Sequence, residues 1–242
     1  LEAMAPFFAP GFLGLMHGAN ANSLHTPGRT AFAALEDARA SIARDLGARR
    51  PGEIIFTSGA TEADNMAVLG IARAAAEERR RHGRTASPHV IVSAIEHEAV
   101  LAPARLLEAE GFRVTRLKPN RQGFIEVHAL EESLDEDTVL VSVQAANSEV
   151  GSVQPVAALA HAVHAAGALM HTDAVQALGK AHIDLGALGV DAASFSAHKI
   201  GGPKGVGTLF LKARTPFAAQ MLGGGQESGR RSGTQNVAGA VG

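Results

Sequence analysis

Of the 22 lysines and arginines in this 242-residue chain only five are lysines, at 118, 180, 199, 204 and 212, so each lysine invites a chemical reading. Lys199 stands out by position. It lies in Asp191-Ala-Ala-Ser-Phe-Ser-Ala-His-Lys-Ile-Gly-Gly-Pro-Lys-Gly-Val-Gly-Thr-Leu-Phe-Leu211. There Ala192, Ala193 and Phe195, then Val206, Leu209, Phe210 and Leu211, spell two short buried strands joined by a glycine-rich turn. An amine just past a buried strand is costly to bury unless it is neutral or bonded, which points to imine chemistry. A solvated loop is the ordinary alternative for a lysine beside glycines, and Lys204, after Pro203, is read that way.

A second stretch, Ala168-Leu-Met-His-Thr-Asp-Ala-Val-Gln-Ala-Leu-Gly179, reads as a strand ending in Asp173 with Gln176 just beyond. Open α/β sheets place ligands at the carboxyl ends of strands. An aspartate that pairs with a pyridinium nitrogen and a lysine that forms a Schiff base are the two protein groups pyridoxal phosphate requires. A third stretch, the strand Glu53-Ile-Ile-Phe-Thr57, the turn Ser58-Gly59-Ala60-Thr61-Glu62 and the helix after it, makes an anion site, because the free N–H groups and dipole of the first helical turn face a ligand. The cofactor phosphate is placed there. Thr61 with Asp64 three residues on is equally a helix cap.

The elements that must position these residues follow from periodicity. Phe32, Leu35, Ala38, Ile42 and Leu46 recur at helical spacing from Thr30 to Leu46, and a helix through about Arg81 turns Met66, Leu69 and Ala72 inward. Strands are expected at His89–Ser93, Phe112–Leu117 and Thr138–Ala145, and helices at Ala99–Glu110, Val127–Leu134 and Val156–Ala166. His97 falls on a loop, where a capping or surface role is the ordinary reading. Residues 1–30, rich in Gly, Pro, Asn and Ala, read as a loop or short helix followed by irregular chain. The repeated strand-then-helix order implies an α/β fold with a mostly parallel sheet covered by helices.

Five motifs in one order carry a resemblance: Thr-Ser-Gly-Ala-Thr-Glu (57–62), Glu-His-Glu-Ala-Val (96–100), His-Thr-Asp-Ala-Val-Gln (171–176), Ser-Phe-Ser-Ala-His-Lys (194–199) and Arg-Ser-Gly-Thr (231–234). Together, from about Ser23 to Val237, they resemble the pyridoxal-phosphate-dependent cysteine desulfurases of the class V aminotransferase superfamily. The resemblance implies a three-layer sandwich around a seven-stranded central sheet, with residues 31–242 as the cofactor-binding large domain, residues 1–30 as an N-terminal segment and a small C-terminal domain absent from this chain. It implies that Lys199 holds the cofactor and moves the substrate's Cα proton, that Asp173 keeps the pyridine nitrogen protonated, that Gln176 bonds the phenolic oxygen and that His97 is a second catalytic residue, which stacks on the ring and relays protons. Ala60, Thr61, Ser196, His198 and Thr234 of the partner subunit would hold the phosphate, hence a homodimer. Where the family usually reads Asn-Asn-Glu, this chain has Asn147-Ser148-Glu149, so Asn147 or a water takes over the contact of the second Asn. Ser228 stands where the family more often has Arg.

The implied substrate is L-cysteine and the implied acceptor a sulfur-receiving scaffold protein, as in iron-sulfur cluster assembly. Desulfuration needs a thiolate nucleophile, and the chain contains no cysteine. The family's cysteine, its carboxylate-gripping arginine and its small domain all lie beyond Gly242. The chain is therefore read as a fragment of such an enzyme or as a remnant without the chemistry. A non-catalytic cofactor-binding scaffold is a third class, and a selenocysteine lyase or an aminotransferase the alternative chemistry. The net charge of −2 argues against a nucleic-acid or anionic-membrane surface. No apolar run reaches a membrane span, and Leu1-Glu-Ala-Met-Ala-Pro lacks the order of a signal peptide, so the expected location is cytoplasmic. His161 and His164 lack further ligands, so no metal is expected.

Overall fold

Strands that are apolar on both faces need helices on both sides, and the chain meets that need with one sheet between two helical layers. The computed structural model describes residues 1–242, the side chains of Leu13 and Leu15 excepted. The strands are β1 (Ile54–Thr57), β2 (His89–Ser93), β3 (Arg113–Leu117), β4 (Thr138–Ser142), β5 (Leu169–Asp173), β6 (Ala192–Ser196) and β7 (Gly207–Leu211). The helices are α1 (Ala5–Phe8), α2 (Gly11–His17), α3 (Thr26–Asp45), α4 (Ala60–Arg81), α5 (Glu98–Ala109), α6 (Val127–Ser133), α7 (Val156–Ala165), α8 (Leu185–Leu188) and α9 (Val237–Val241).

The seven strands lie in the order β1-β7-β6-β5-β4-β2-β3. Only β7 runs against its neighbours, pairing antiparallel with β1 and β6, while the other pairs are parallel. The other six strands therefore end on one edge, and the loops bearing chemistry converge there. Alternate residues serve two cores. Ile91, Val141, Met170, Phe195 and Phe210 pack toward α6, α7 and α8, and Ile55, Val90, Val92, Leu140, Leu209 and Leu211 toward α4 and α5.

Three expectations need correction. The first long helix begins at Thr26, not Thr30, because Pro27 sits in its first turn, where a missing N–H costs nothing, and His25 Nδ1 accepts the Gly28 N–H at 3.1 Å. Its buried face runs through Gly28, Ala31, Leu35, Arg39 and Ala43, which leaves Phe32 exposed instead of inward. Residues 1–25 do run as short helix followed by irregular chain, since α1, α2 and a 3₁₀ turn at Glu2–Met4 fill most of the first 17 and only turns and bends follow up to His25. The strand expected over Thr138–Ala145 ends at Ser142, although Val143 and Ala145 still donate to His171 O and Asp173 O across β5.

Candidate active site

The convergent strand ends enclose a cavity of about 750 Å³. Nine of the ten residues singled out in the sequence line it: Ala60, Thr61, His97, Asn147, Asp173, Gln176, Ser196, His198 and Lys199. The tenth, Thr234, is exposed and does not line it.

Helix α4 opens at this cavity. Its N-cap is Gly59, at φ 154° and ψ 180°, a conformation open essentially to glycine alone. Thr61 lies inside the helix and not at its cap, and no side chain caps the end, which corrects the capping alternative. The first-turn N–H groups of a 22-residue helix thus face the cavity. Gly207 of β7 lets the turn sit down on the sheet: a Cβ there would meet Phe195 O at 2.6 Å and the backbone carbons of Gly59 at 2.7 Å. Across the cavity Ser196 Oγ and His198 Nδ1 hydrogen-bond at 2.8 Å.

Asp173 closes β5 and is 8% exposed. Its Oδ1 accepts the Val175 N–H at 2.9 Å, which leaves the second oxygen for another donor. Burial pushes its carboxyl above the usual range, while the Val175 N–H, His97 and Lys199 pull the other way. Lys199 lies in a 3₁₀ turn, Ala197–Ile200, and is exposed, so the burial expected for it is not what distinguishes it; its position on this cavity is. Its amine makes no hydrogen bond or ion pair with any described residue. Lys204 is exposed as expected, yet it also lines the cavity.

His97 takes the capping role that is ordinary for it, as the N-cap of α5 with its Nδ1 accepting the Ala99 N–H at 3.0 Å, and it also lines the cavity. With Nδ1 accepting, the neutral ring carries its proton on Nε2. Gln176 Oε1 accepts from Lys180 Nζ at 2.8 Å, which leaves its amide N–H groups as the donors to offer a ligand. Asn147 is largely spent on its loop: Nδ2 donates to Ile95 O at 3.1 Å, and Oδ1 accepts the N–H groups of Glu149 and Val150 at 2.8 and 2.9 Å. Ser148 is exposed and lines the cavity beside it. His164 is committed to Asp191 at 2.7 Å.

Asp64, read in the sequence only as a partner for a cap at Thr61, and Glu96, not singled out there, are both buried and both line the cavity. A signal was there for each. Asp64 falls among Ala63, Met66 and Ala67 on the apolar face of α4, where an acid needs a reason, and Glu96 directly precedes His97. Glu62 is a further residue whose role the sequence does not show: its carboxylate accepts the Ser58 N–H and pairs with Arg231.

The site and fold define a class. The chain belongs to the class V aminotransferase family, whose model matches residues 10–242. It is 42% identical over 241 residues to the cysteine desulfurase IscS of Dictyoglomus turgidum, an alignment that spans 100% of this chain and 57% of that protein. Among solved structures, a NifS-like protein has a TM-score of 0.90 at 41% identity, over 99% of this chain and 62% of its own. SspA in complex with cysteine has a TM-score of 0.89 at 36% identity, over 99% and 65%. The chain thus spans a little over half the length of the curated relatives it matches.

Proposed function

We propose that residues 31–242 form the cofactor-binding large domain of a pyridoxal-phosphate-dependent cysteine desulfurase, acting on L-cysteine to give alanine and a persulfide. The observation that carries this reading is the convergence on one cavity of Asp173, with an oxygen to spare, Lys199, with an unengaged amine, and the uncapped start of α4. The donor set fits pyridoxal phosphate: an anion cradle, a carboxylate for a ring nitrogen and an amine for an aldehyde. Relatives named as cysteine desulfurases, and a neighbour solved with cysteine, support the substrate.

In this reading pyridoxal phosphate, when bound, supplies the electron sink that makes the substrate's Cα–H acidic. The chain's own groups do the rest. The first-turn N–H groups at Ala60 and Thr61, with Ser196 and His198, hold the phosphate. Asp173 would accept the N–H of a ring nitrogen, Gln176 would donate to a phenolic oxygen, and His97, with its proton on Nε2, would face the ring and relay protons. Lys199 anchors the cofactor and moves the Cα proton. Asn147 shapes the loop that presents Ser148 where the family has an amide. The thiolate that takes the sulfur must come from outside these residues, which hold no cysteine.

The exposed Thr234 suits a role at a partner subunit's cofactor, so a homodimer is part of the proposal, as are a sulfur-acceptor protein and a cytoplasmic location. Among the described residues no helix is long and apolar enough to cross a membrane. Borohydride reduction of the protein with pyridoxal phosphate, followed by peptide mass mapping, tests the reading. The adduct is expected on the peptide bearing Lys199, and labelling confined to other lysines would contradict it.

A further inference from the structure

Asp173 is not the only acid at the cavity. Asp64 and Glu96 also line it, 1% and 6% exposed, and Asp64 Oδ1 and Glu96 Oε2 accept no hydrogen bond from any described residue. The other oxygen of Glu96 is well served, by the Ser93 hydroxyl and by the Gln144 N–H at 2.8 Å. Asp64 Oδ1 lies 3.7 Å from His171 Nε2, beyond hydrogen-bond reach. His171 brings no charge to the cluster: its nitrogens meet the Ser142 and Ser194 hydroxyls, and burial pushes its pKa down to about 3.

The cavity's basic groups, His97, His198, Lys199 and Lys204, all belong to exposed residues. Of its remaining acids, Glu62 and Glu98 have arginines of their own, Arg231 and Arg105, and Glu149 is exposed. Three ionised carboxylates buried together with no buried cation would be far too costly, so protons must be shared among them. A buried carboxyl oxygen that faces no donor is where such a proton sits.

We propose that Glu96 and Asp64 each hold a proton on the oxygen that lacks a donor and act as positioning residues, leaving Asp173 as the one ionised carboxylate that faces a pyridine ring nitrogen. The ordering agrees with the surroundings of each acid. Burial pushes Glu96 up to about 8 against the Ser93 and Gln144 hydrogen bonds, and burial with the nearby Asp173 charge pushes Asp64 well above the carboxylate range against the Ser194 hydroxyl. Asp173 alone has His97 and Lys199 working against its burial. The positioning role rests on the pyridoxal phosphate reading, whereas the protonation belongs to the chain itself.

The test is the infrared spectrum of the cofactor-free protein at a pH of about 6.5, where ordinary carboxyls are ionised. Protonated-carboxyl absorption is expected, one component lost in Glu96→Gln, another in Asp64→Asn, and the Glu96 component fading as pH passes about 8. No such absorption in the wild-type protein overturns the proposal, and this needs no variant to fold. For positioning, Glu96→Gln should bind pyridoxal phosphate within about threefold of wild type with an unchanged absorption maximum, and Glu96→Ala about tenfold more weakly. A Glu96→Gln defect as large as that of Ala overturns the neutral role. Wild-type protein that shows the acid bands yet binds no pyridoxal phosphate overturns the cofactor reading and the positioning role with it, a result distinct from missing bands in protein that binds.

Discussion

Arg231 Nε lies 2.6 Å from Glu62 Oε1, and Arg231 Nη2 3.2 Å from Glu62 Oε2, joining residues 169 apart in sequence. The same Glu62 accepts the Ser58 N–H at 2.6 Å, so the pair fastens the loop carrying Thr234 to the start of the α4 cradle. The Arg231 hydrogen bonds hold the Glu62 carboxylate below its usual range against the opposing effect of burial. Arg231→Met should therefore free both the loop and the turn. A stability loss of about 1–3 kcal/mol by denaturant titration, with faster proteolysis between residues 221 and 234, is expected. An unchanged cleavage pattern would show that the pair does not order the loop.

Arg39 and Glu227 form a buried clamp, with Nη1–Oε2 at 2.6 Å and Nη2–Oε1 at 2.9 Å. Glu227 also accepts the Phe56 N–H at 3.0 Å, and the Arg39 guanidinium lies 4.8 Å from the Phe56 ring centre. The clamp holds a loop whose Glu227 and Ser228 adopt left-handed φ of 50° and 58°. Glu227→Ala leaves the buried Arg39 guanidinium with only Glu36, 2.9 Å from its Nε, and the Ile54 carbonyl, and should cost up to about 3–5 kcal/mol in thermal or chemical unfolding. Ser228→Gly should instead stabilise by at most about 1 kcal/mol, because the roughly 1–2 kcal/mol of left-handed strain it relieves is set against about 0.5–1 kcal/mol of added chain entropy.

Gly207→Ala would drive a Cβ into the backbone of Phe195 and Gly59. Neither is the flexible end of a side chain, so β7 or the α4 start must move. A loss of about 1–3 kcal/mol is expected, together with weaker phosphate-dependent binding of the cofactor. Gly52→Ala, where a Cβ meets nothing within 4 Å, is the control and should change neither.

The buried acid and the buried imidazole give stability opposite slopes against pH. Glu96, raised from 4.5 to about 8, contributes stability present below pH 4.5 and lost as pH rises through 8. His171, lowered from 6.5 to about 3, contributes stability present above pH 6.5 and lost as pH falls toward 3. Glu96 and His171 offset each other between 4.5 and 6.5, Asp64, also raised, adds a fall of its own sign, and above 6.5 only the acids act, so the melting temperature of cofactor-free protein should fall from 6.5 to 8. Glu96→Gln should flatten that fall by one proton's slope, about 1.4 kcal/mol per pH unit. A fall of the same steepness in the variant would show that other groups cause it.

Much of this was legible in the residues. The runs Val90-Ile-Val92 and Val139-Leu-Val141 are too apolar for anything but buried strands, and Lys199, Asp173 and Gln176 stand at strand ends, where open sheets gather their chemistry. What escaped depends on three-dimensional neighbours. Asp64 reads in sequence as a partner for a cap at Thr61, and only the packing of α4 on the sheet turns it toward Asp173. Pro27 and Gly28 fall in the stretch that reads as irregular from its composition, and only the His25 cap shows that the helix already includes them. The Arg39–Glu227 and Glu62–Arg231 pairs span 188 and 169 residues, a reach that no local spacing reveals.

The most direct test of the central claim is the absorption spectrum of the purified protein with added pyridoxal phosphate, recorded beside Lys199→Ala. A new protein-dependent band in the wild type that is lost in the variant is the predicted result. The same band in both proteins, or in neither, would contradict the assignment of this cavity and this lysine to the cofactor.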